Sequence, residues 1–373
     1  MSTTTTTITV PATALVSPVD AYVLGLGWLP PVTDAVVRSD PTTAPLRIGD
    51  IDYTAVNQHV RKMRAVDVTQ GVGPVADVLY PGALVQGRSI EGGKLAPLPL
   101  PRAGGTLTVT TDFRTDSAPR SASRTLEEVS LSAVQDARVA LLHELAPTDG
   151  AAEVSYIAVE ARSFEHGLVN LGVNVKSASF DVDVKARFST GLEQNTALVK
   201  FQQVFYTVAF TPPTEGSAFF GTGVTVDDVA HYAAPGNPPA YIATMKYGRT
   251  LFFSLTSARS WTELKAAVDV VVRGATQVNG HLDGEYQKIL RESTVQVLAL
   301  GGTGTVAVQT LLDPIAQLAE YLRAGGTFTV DQPGMPISYL TRYAGSGDVD
   351  GLVVLGGQRS EEHTSELQSQ FHL

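Results

Sequence analysis

The chain has 373 residues, 43% hydrophobic and 17% charged, a composition that argues against disorder and supplies enough apolar side chains for more than one core. A net charge of −10 without a Lys/Arg cluster argues against nucleic-acid binding and against attachment to anionic lipid by charge alone. With no cysteine, there are no disulfides, no thiol catalysis and no Cys-based zinc site, and the redox compartment stays open.

The N-terminus, MSTTTTTITVPATALV, carries threonine where a signal peptide needs an apolar stretch, so residues 1–17 read as a disordered tail. LGLGWL (24–29) imitates a glycine-rich dinucleotide loop but runs into Pro30-Pro31, which cannot open the required helix. Pro/Gly-rich stretches at 28–46 and 92–105 are predicted surface loops. Thr125 and Glu128 predict a capping box for a helix reaching Leu145, with Leu126, Val129, Val134, Ala137, Leu141 and Leu145 as its stripe.

ASFDVDVKARF (178–188) then alternates without a slip. In an extended chain Ala178, Phe180, Val182, Val184, Ala186 and Phe188 share one side, and Ser179, Asp181, Asp183, Lys185 and Arg187 the other. A surface strand of an antiparallel sheet gives this pattern, and so does a membrane-barrel strand with lipid on one face and a water-filled lumen on the other. Periodicity leaves both open.

VKFQQVFYTVAF (199–210), PPAYIATMKYGRTLFFSLTS (238–257) and STVQVLALGG (293–302) are predicted strands. Ser260 and Glu263 predict a capped helix burying Leu264, Ala267, Val268 and Val271. In DPIAQLAEYLRAGG, Asp313 is the expected N-cap, Pro314 the first helical residue and Gly325 the left-handed terminus, with Ile315, Leu318, Ala319 and Leu322 buried. These helices read as packing elements. Helices and strands fall in blocks, which predicts an α+β fold. No apolar run has the length of a membrane helix.

The seven histidines show no metal-ligand spacing, and GxSxG and phosphate-loop motifs are missing. Asp227-Asp228 and Glu127-Glu128 sit where helix N-termini or solvated faces would place them. The prediction is no catalytic residue, no metal and no cofactor.

Several segments, taken in order, resemble the cholesterol-dependent (thiol-activated) cytolysins, a family of pore-forming toxins. They are LYPGAL (79–84), VKFQQVFYTVAF, VTVDDV (224–229), PPAYIATMKYGRTLFF, EYQKILRESTVQVLALGG (285–302) and QPGMPISYLTRY (332–343). The resemblance implies an elongated, multi-domain perforin/cytolysin-like fold, with a bent antiparallel sheet flanked by helical membrane-inserting segments. It divides the chain into a discontinuous first domain (18–30, 75–155, 210–254, 327–342) and an incomplete connecting domain (31–74, 343–358). A third domain (156–209, 255–326) carries the two inserting segments. ASFDVDVKARF falls where the family has its first inserting segment, which would give its apolar side to lipid and its polar side to the pore. The second is expected at Tyr286, Ile289, Leu290, Val295 and Val297. Gly301-Gly302 reads equally as a plain turn or as the family's pivot.

The family's C-terminal β-sandwich, with its tryptophan-rich loop, has no counterpart: Trp28 and Trp261 are the only tryptophans. RSEEHTSELQS (359–369) looks like a translated sequencing adapter, so 359–373 is expected to be an artefact unrelated to the fold. The expected whole protein is secreted by a route the sequence leaves open. It meets a cholesterol-containing membrane through the missing domain and assembles a homo-oligomeric ring without nucleic acid, while this fragment is non-lytic. The alternatives are a relative with a non-cholesterol receptor and a soluble binding protein that keeps the scaffold without inserting.

Overall fold

The computed structural model describes residues 17–27, 29, 35–48, 51–66, 69–70, 78–91, 95–111, 121–145, 153–161, 164–173, 194–212, 219–276, 284–300, 309–313, 317–318, 322, 328, 333–344 and 356–369. The chain opens with α1 (Pro18–Gly25), β1 (Ala35–Arg38), β2 (Thr42–Ile48), β3 (Ile51–Val66) and β4 (Thr69–Gln70). β5 (Leu84–Gln86), α2 (Gly87–Glu91), β6 (Ala103–Thr111), β7 (Ser121–Glu128) and α3 (Leu131–Leu145) follow. Next come β8 (Glu153–Glu160), α4 (Phe164–Asn170), β9 (Asn195–Thr211), α5 (Val226–Tyr232) and β10 (Pro239–Ser257). α6 (Trp261–Thr276), α7 (Gly284–Arg291), β11 (Thr294–Leu300), β12 (Gln309–Thr310), β13 (Met335–Tyr343) and β14 (Gly356–Ser369) complete the order.

These strands form a ten-stranded and a four-stranded sheet. β9 and β10 pair antiparallel along almost their full length and run through the larger sheet as its axis. In the upper half, β6 joins β9 while β5 and β13 join β10. In the lower half, β8 flanks β9 and β11 flanks β10, with the two-residue β12 beyond it. The halves meet at a register shift between Tyr247 and Gly248, where Phe205 is the extra residue on β9. A bulge of this kind bends and twists the strand. Gly248 is obligatory there, because a Cβ would lie 1.9 Å from the Gln203 carbonyl oxygen. Gly334 adopts φ +73° beside it, and its Cβ would meet the Gly248 carbonyl at 2.9 Å.

The upper half rests on one apolar cluster, in which Val134, Leu141 and Leu142 of α3 meet Leu107, Val109, Tyr206, Val208 and Met245. Arg138 of α3 donates to the Tyr206 hydroxyl at 2.5 Å and lies 5.0 Å over the Tyr247 ring, which stacks on Tyr206 at 4.9 Å.

The three strands predicted at 199–210, 238–257 and 293–302 are β9, β10 and β11. The Thr125–Glu128 capping box is not formed. Residues 121–128 pair with β6 as β7, and α3 starts at Leu131 with the Ser130 hydroxyl accepting from the Ala133 N–H at 3.2 Å. Pairing with β6 satisfies main-chain groups of alternate residues along 121–128, whereas a cap satisfies one or two donors. The loop expected at 28–46 contains β1 and β2; Pro45 is tolerated because β2 pairs on one side only. Of the 313–325 helix, the described residues include the Gln317 N–H bonded to the Asp313 carbonyl at 3.0 Å, with Leu318 and Leu322 buried. Pro314, Ile315, Ala319, Gly325 and the tail before Ser17 lie outside the described residues. Residues 356–369, mostly within the expected artefact, are β14, paired with β3 over all 14 residues. Such pairing needs only an open row of main-chain N–H and C=O groups, so the origin of that segment is a separate matter.

Candidate functional site

The lower half of the larger sheet is apolar on both faces. Ala197, Val199 and Phe201 of β9, Leu251, Phe253 and Leu255 of β10, and Val295 and Val297 of β11 point to one face. α6 and α7 cover it with Leu264, Ala267, Val268, Val271, Ile289 and Leu290. Leu198, Phe252 and Leu298 point to the other, where Phe164 and Leu168 of α4 cover them. The period of two along a strand produces this division, odd numbers toward α6 and α7, even toward α4, on β9, β10 and β11.

Both covers belong to chain that interrupts neighbouring strands. The first connector (161–194) links β8 to β9, and the second (258–293) links β10 to β11. The register aligns Glu160 with Ala197, Ala197 with Leu255 and Leu255 with Val295, so both connectors leave from the same end of the sheet.

The predicted capping box of α6 is present: the Ser260 N–H donates to Glu263 at 3.0 Å and the Glu263 N–H to the Ser260 hydroxyl at 3.4 Å. The Ser260 hydroxyl, donating to the Glu263 carboxylate at 2.7 Å, and then the Ser260 N–H hold that carboxyl below its ordinary pKa. At the mouth of the second connector, Arg259 donates to Glu292 at 2.6 and 2.9 Å and to Glu263 at 3.2 Å. The Tyr156 hydroxyl of β8 reaches Asp269 of α6 at 3.2 Å, and burial together with that carboxylate raises the phenol's pKa.

Of the residues singled out for the second inserting segment, Tyr286, Ile289 and Leu290 lie on α7, and Val295 and Val297 on β11. All five meet in one core, with Tyr286 at its margin. As an extended chain they would not share a side, since Tyr286 and Leu290 are even-numbered and the other three odd. The first segment, Ala178 to Phe188, and the pair Gly301-Gly302 lie outside the described residues. Sequence reasoning gave α6 only a packing role, although it occupies the same connector as α7. Its signal was the β-branched run Val270, Val271, Val272 inside a helix.

Among the described residues, no group of three or more His, Cys, Asp and Glu side chains could hold a metal ion, and no helix is long and apolar enough to cross a membrane. The latter says nothing of strands. An open pocket of about 550 Å³ beside α5 is lined by Asp227, Asp228 and His231. The Asp228 carboxylate is already engaged, accepting from the Thr225 N–H at 2.8 Å and hydroxyl at 2.7 Å.

A bent antiparallel sheet whose lower strands are interrupted by helical covers is the architecture of the cytolysins. The sequence model of that family, described as thiol-activated cytolysin, matches residues 46–350, and the chain belongs to this family. Listeriolysin O from Listeria monocytogenes is 26% identical over 337 residues, covering 87% of this chain and 63% of its own length. Ivanolysin from Listeria ivanovii is 26% identical over 363 residues, covering 94% of this chain and 67% of its own. The chain thus spans about two thirds of these relatives. The crystal structure of listeriolysin O superposes with a TM-score of 0.70 at 25% identity, covering 94% of this chain and 73% of that one. The human-specific toxin intermedilysin gives 0.68 at 21% identity, covering 94% and 75%, a likeness of fold.

Proposed function

We propose that the complete protein is a pore-forming cytolysin that assembles as a ring on cholesterol-containing membranes and inserts both connectors as β-hairpins. The observation that carries this reading is the agreement of odd and even numbering in two separate places. Continue β9 backward as a strand, and even-numbered Ala178, Phe180, Val182, Val184, Ala186 and Phe188 fall on the α4 side of the sheet. Continue β10 forward, and even-numbered Leu264, Ala266, Val268, Val270 and Val272 fall on that same side. The opposite side then collects Asp181, Asp183, Lys185 and Arg187 from one connector and Glu263, Lys265, Asp269 and Arg273 from the other, with Ala267 and Val271 among them. One face of the extended sheet is apolar and the other charged, as lipid and an aqueous lumen require. The second inserting segment therefore begins at α6, upstream of the residues the sequence first suggested.

Energetics explain the ring. Burying two Phe and two Val of one strand contributes roughly 6–12 kcal/mol as an upper bound. A lone hairpin in lipid would leave both edges unpaired, each N–H or C=O costing several kcal/mol, and closure of many subunits removes those edges. The protein acts outside the producing cell, on a target membrane.

Gly167→Cys with Leu198→Cys tests the reading. A Cβ at Gly167 would lie 3.3 Å from that of Leu198, near disulfide range, and the cysteine at 198 removes the clash with the leucine side chain. In the complete protein, the oxidised pair is expected to abolish leakage from cholesterol-containing liposomes and reductant to restore it. Leakage at the unmodified rate with the disulfide formed would overturn insertion of the first connector. A second reading replaces cholesterol by a protein receptor, since a structural relative, a disulfide-locked intermedilysin mutant, was solved with human CD59. Leakage independent of cholesterol would favour it.

A further inference from the structure

On each face of the lower half, a buried cation leaves the sheet and bonds a main-chain carbonyl of the segment lying over it. On the α4 face, Lys200, 5% exposed, donates from Nζ to the Leu171 carbonyl at 2.8 Å. The ending of α4 presents that oxygen: Gly172 has φ +73° and the Val173 N–H returns to the Leu168 carbonyl at 2.9 Å. This termination satisfies inner carbonyls from within the chain and leaves the one at Leu171 for an outside donor.

On the opposite face, Arg249, 6% exposed, donates from Nη2 to the Leu322 carbonyl at 3.1 Å and from Nε to the Gln203 side-chain oxygen. Gln203 adds a second bond to the same carbonyl at 3.3 Å. Gln203 and Arg249 are register partners immediately below the shift at Gly248. Leu322 lies in the segment after β12, the short strand that covers the edge of β11. Long cationic side chains are seldom buried without a specific partner, and a charge-assisted bond in a dry interior is stronger than a neutral one.

We propose that Lys200 and Arg249 are two independent latches. Lys200 holds the first connector against its face; Arg249, with Gln203, holds the segment behind β12 at the bend. For its purpose this rests on the pore-forming reading, in which both covers must leave, but its test needs no membrane.

The test is amide hydrogen exchange of this chain in solution, comparing the unmodified protein with Lys200→Met and Arg249→Met, which keep most of the packing volume. Lys200→Met is expected to speed exchange about tenfold in 164–173 and leave 317–322 unchanged; Arg249→Met is expected to do the reverse. Gln203→Leu, the milder change, should raise exchange in 317–322 by a smaller factor, and decides that face if Arg249→Met does not fold. Amides of α3 serve as reference and should not move. Unchanged exchange in the latched segment, or a rise in both segments and α3 together, overturns the proposal. Latches that open as expected in a complete protein that never leaks would leave this inference standing and remove the pore-forming one.

Discussion

The two halves of the large sheet share β9 and β10 yet are packed in different ways. The upper half rests on α3, which lies between β7 and β8 in sequence and interrupts neither axial strand. The lower half is covered on both faces by connectors that enter or leave those very strands. A cover continuous with β9 or β10 could lengthen the axis of the sheet as strand, whereas α3 adjoins only the flanking strands β7 and β8. The contrast teaches that the core below the bulge is built by chain entering or leaving the axial strands, and the core above it by a helix outside them.

The sharpest way to break that contrast is to weaken one half and watch the other. Phe253 is fully buried beneath α6 and α7, and Phe253→Ala should cost about 3–5 kcal/mol in urea unfolding. Its accompanying hydrogen exchange should rise in 261–291 and not in 131–145; an equal rise in both would show one cooperative unit and end the distinction. Tyr206→Phe acts above the bulge, removing the hydroxyl that accepts from Arg138. The expected loss is about 1–3 kcal/mol, with exchange rising in α3 alone.

Ser260→Ala should cost about 1 kcal/mol and fray the start of α6. The pH dependence of that cap has a defined sign. The folded pKa of Glu263 is lowered, so its contribution is complete above the ordinary carboxylate range and fades as acid protonates it. Amide exchange at 261–264 should therefore accelerate on acidification, relative to intrinsic rates, more in the parent than in Ser260→Ala. Glu292→Gln is the smallest change: the side chains of the Arg259–Glu292 pair are 34% and 41% exposed, so the loss in urea unfolding should be smaller than that of Ser260→Ala and shrink further in high salt.

Much of this was legible in the sequence because the signals were undivided. β9 and β10 are long and rich in β-branched and aromatic residues, and Ser260-x-x-Glu263 opens an unbroken apolar stripe. Where two signals competed, the sequence was ambiguous. Thr125-x-x-Glu128 has the composition of a cap, and only β6 lying alongside makes it a strand. The α6 stretch satisfies both periods: Leu264, Ala267, Val268 and Val271 form a helical stripe, while Leu264, Ala266, Val268, Val270 and Val272 alternate as a strand would need. Reading only the first pattern hid the second. On the pore-forming proposal, that double fit is what a segment with two conformations would need.

The crossing at Gly248 has a mechanical consequence. With the Gln203 oxygen occupying the space of a side chain, β9 and β10 touch there as bare main chain, and nothing larger can be inserted to cushion them. Any pivoting of the two long strands against each other would have to turn on peptide groups at this point. A rotation of their lower ends would be delivered without slack to the Tyr206–Tyr247 ring pair just above, shearing those rings across one another and offering tyrosine emission as a gauge of the motion.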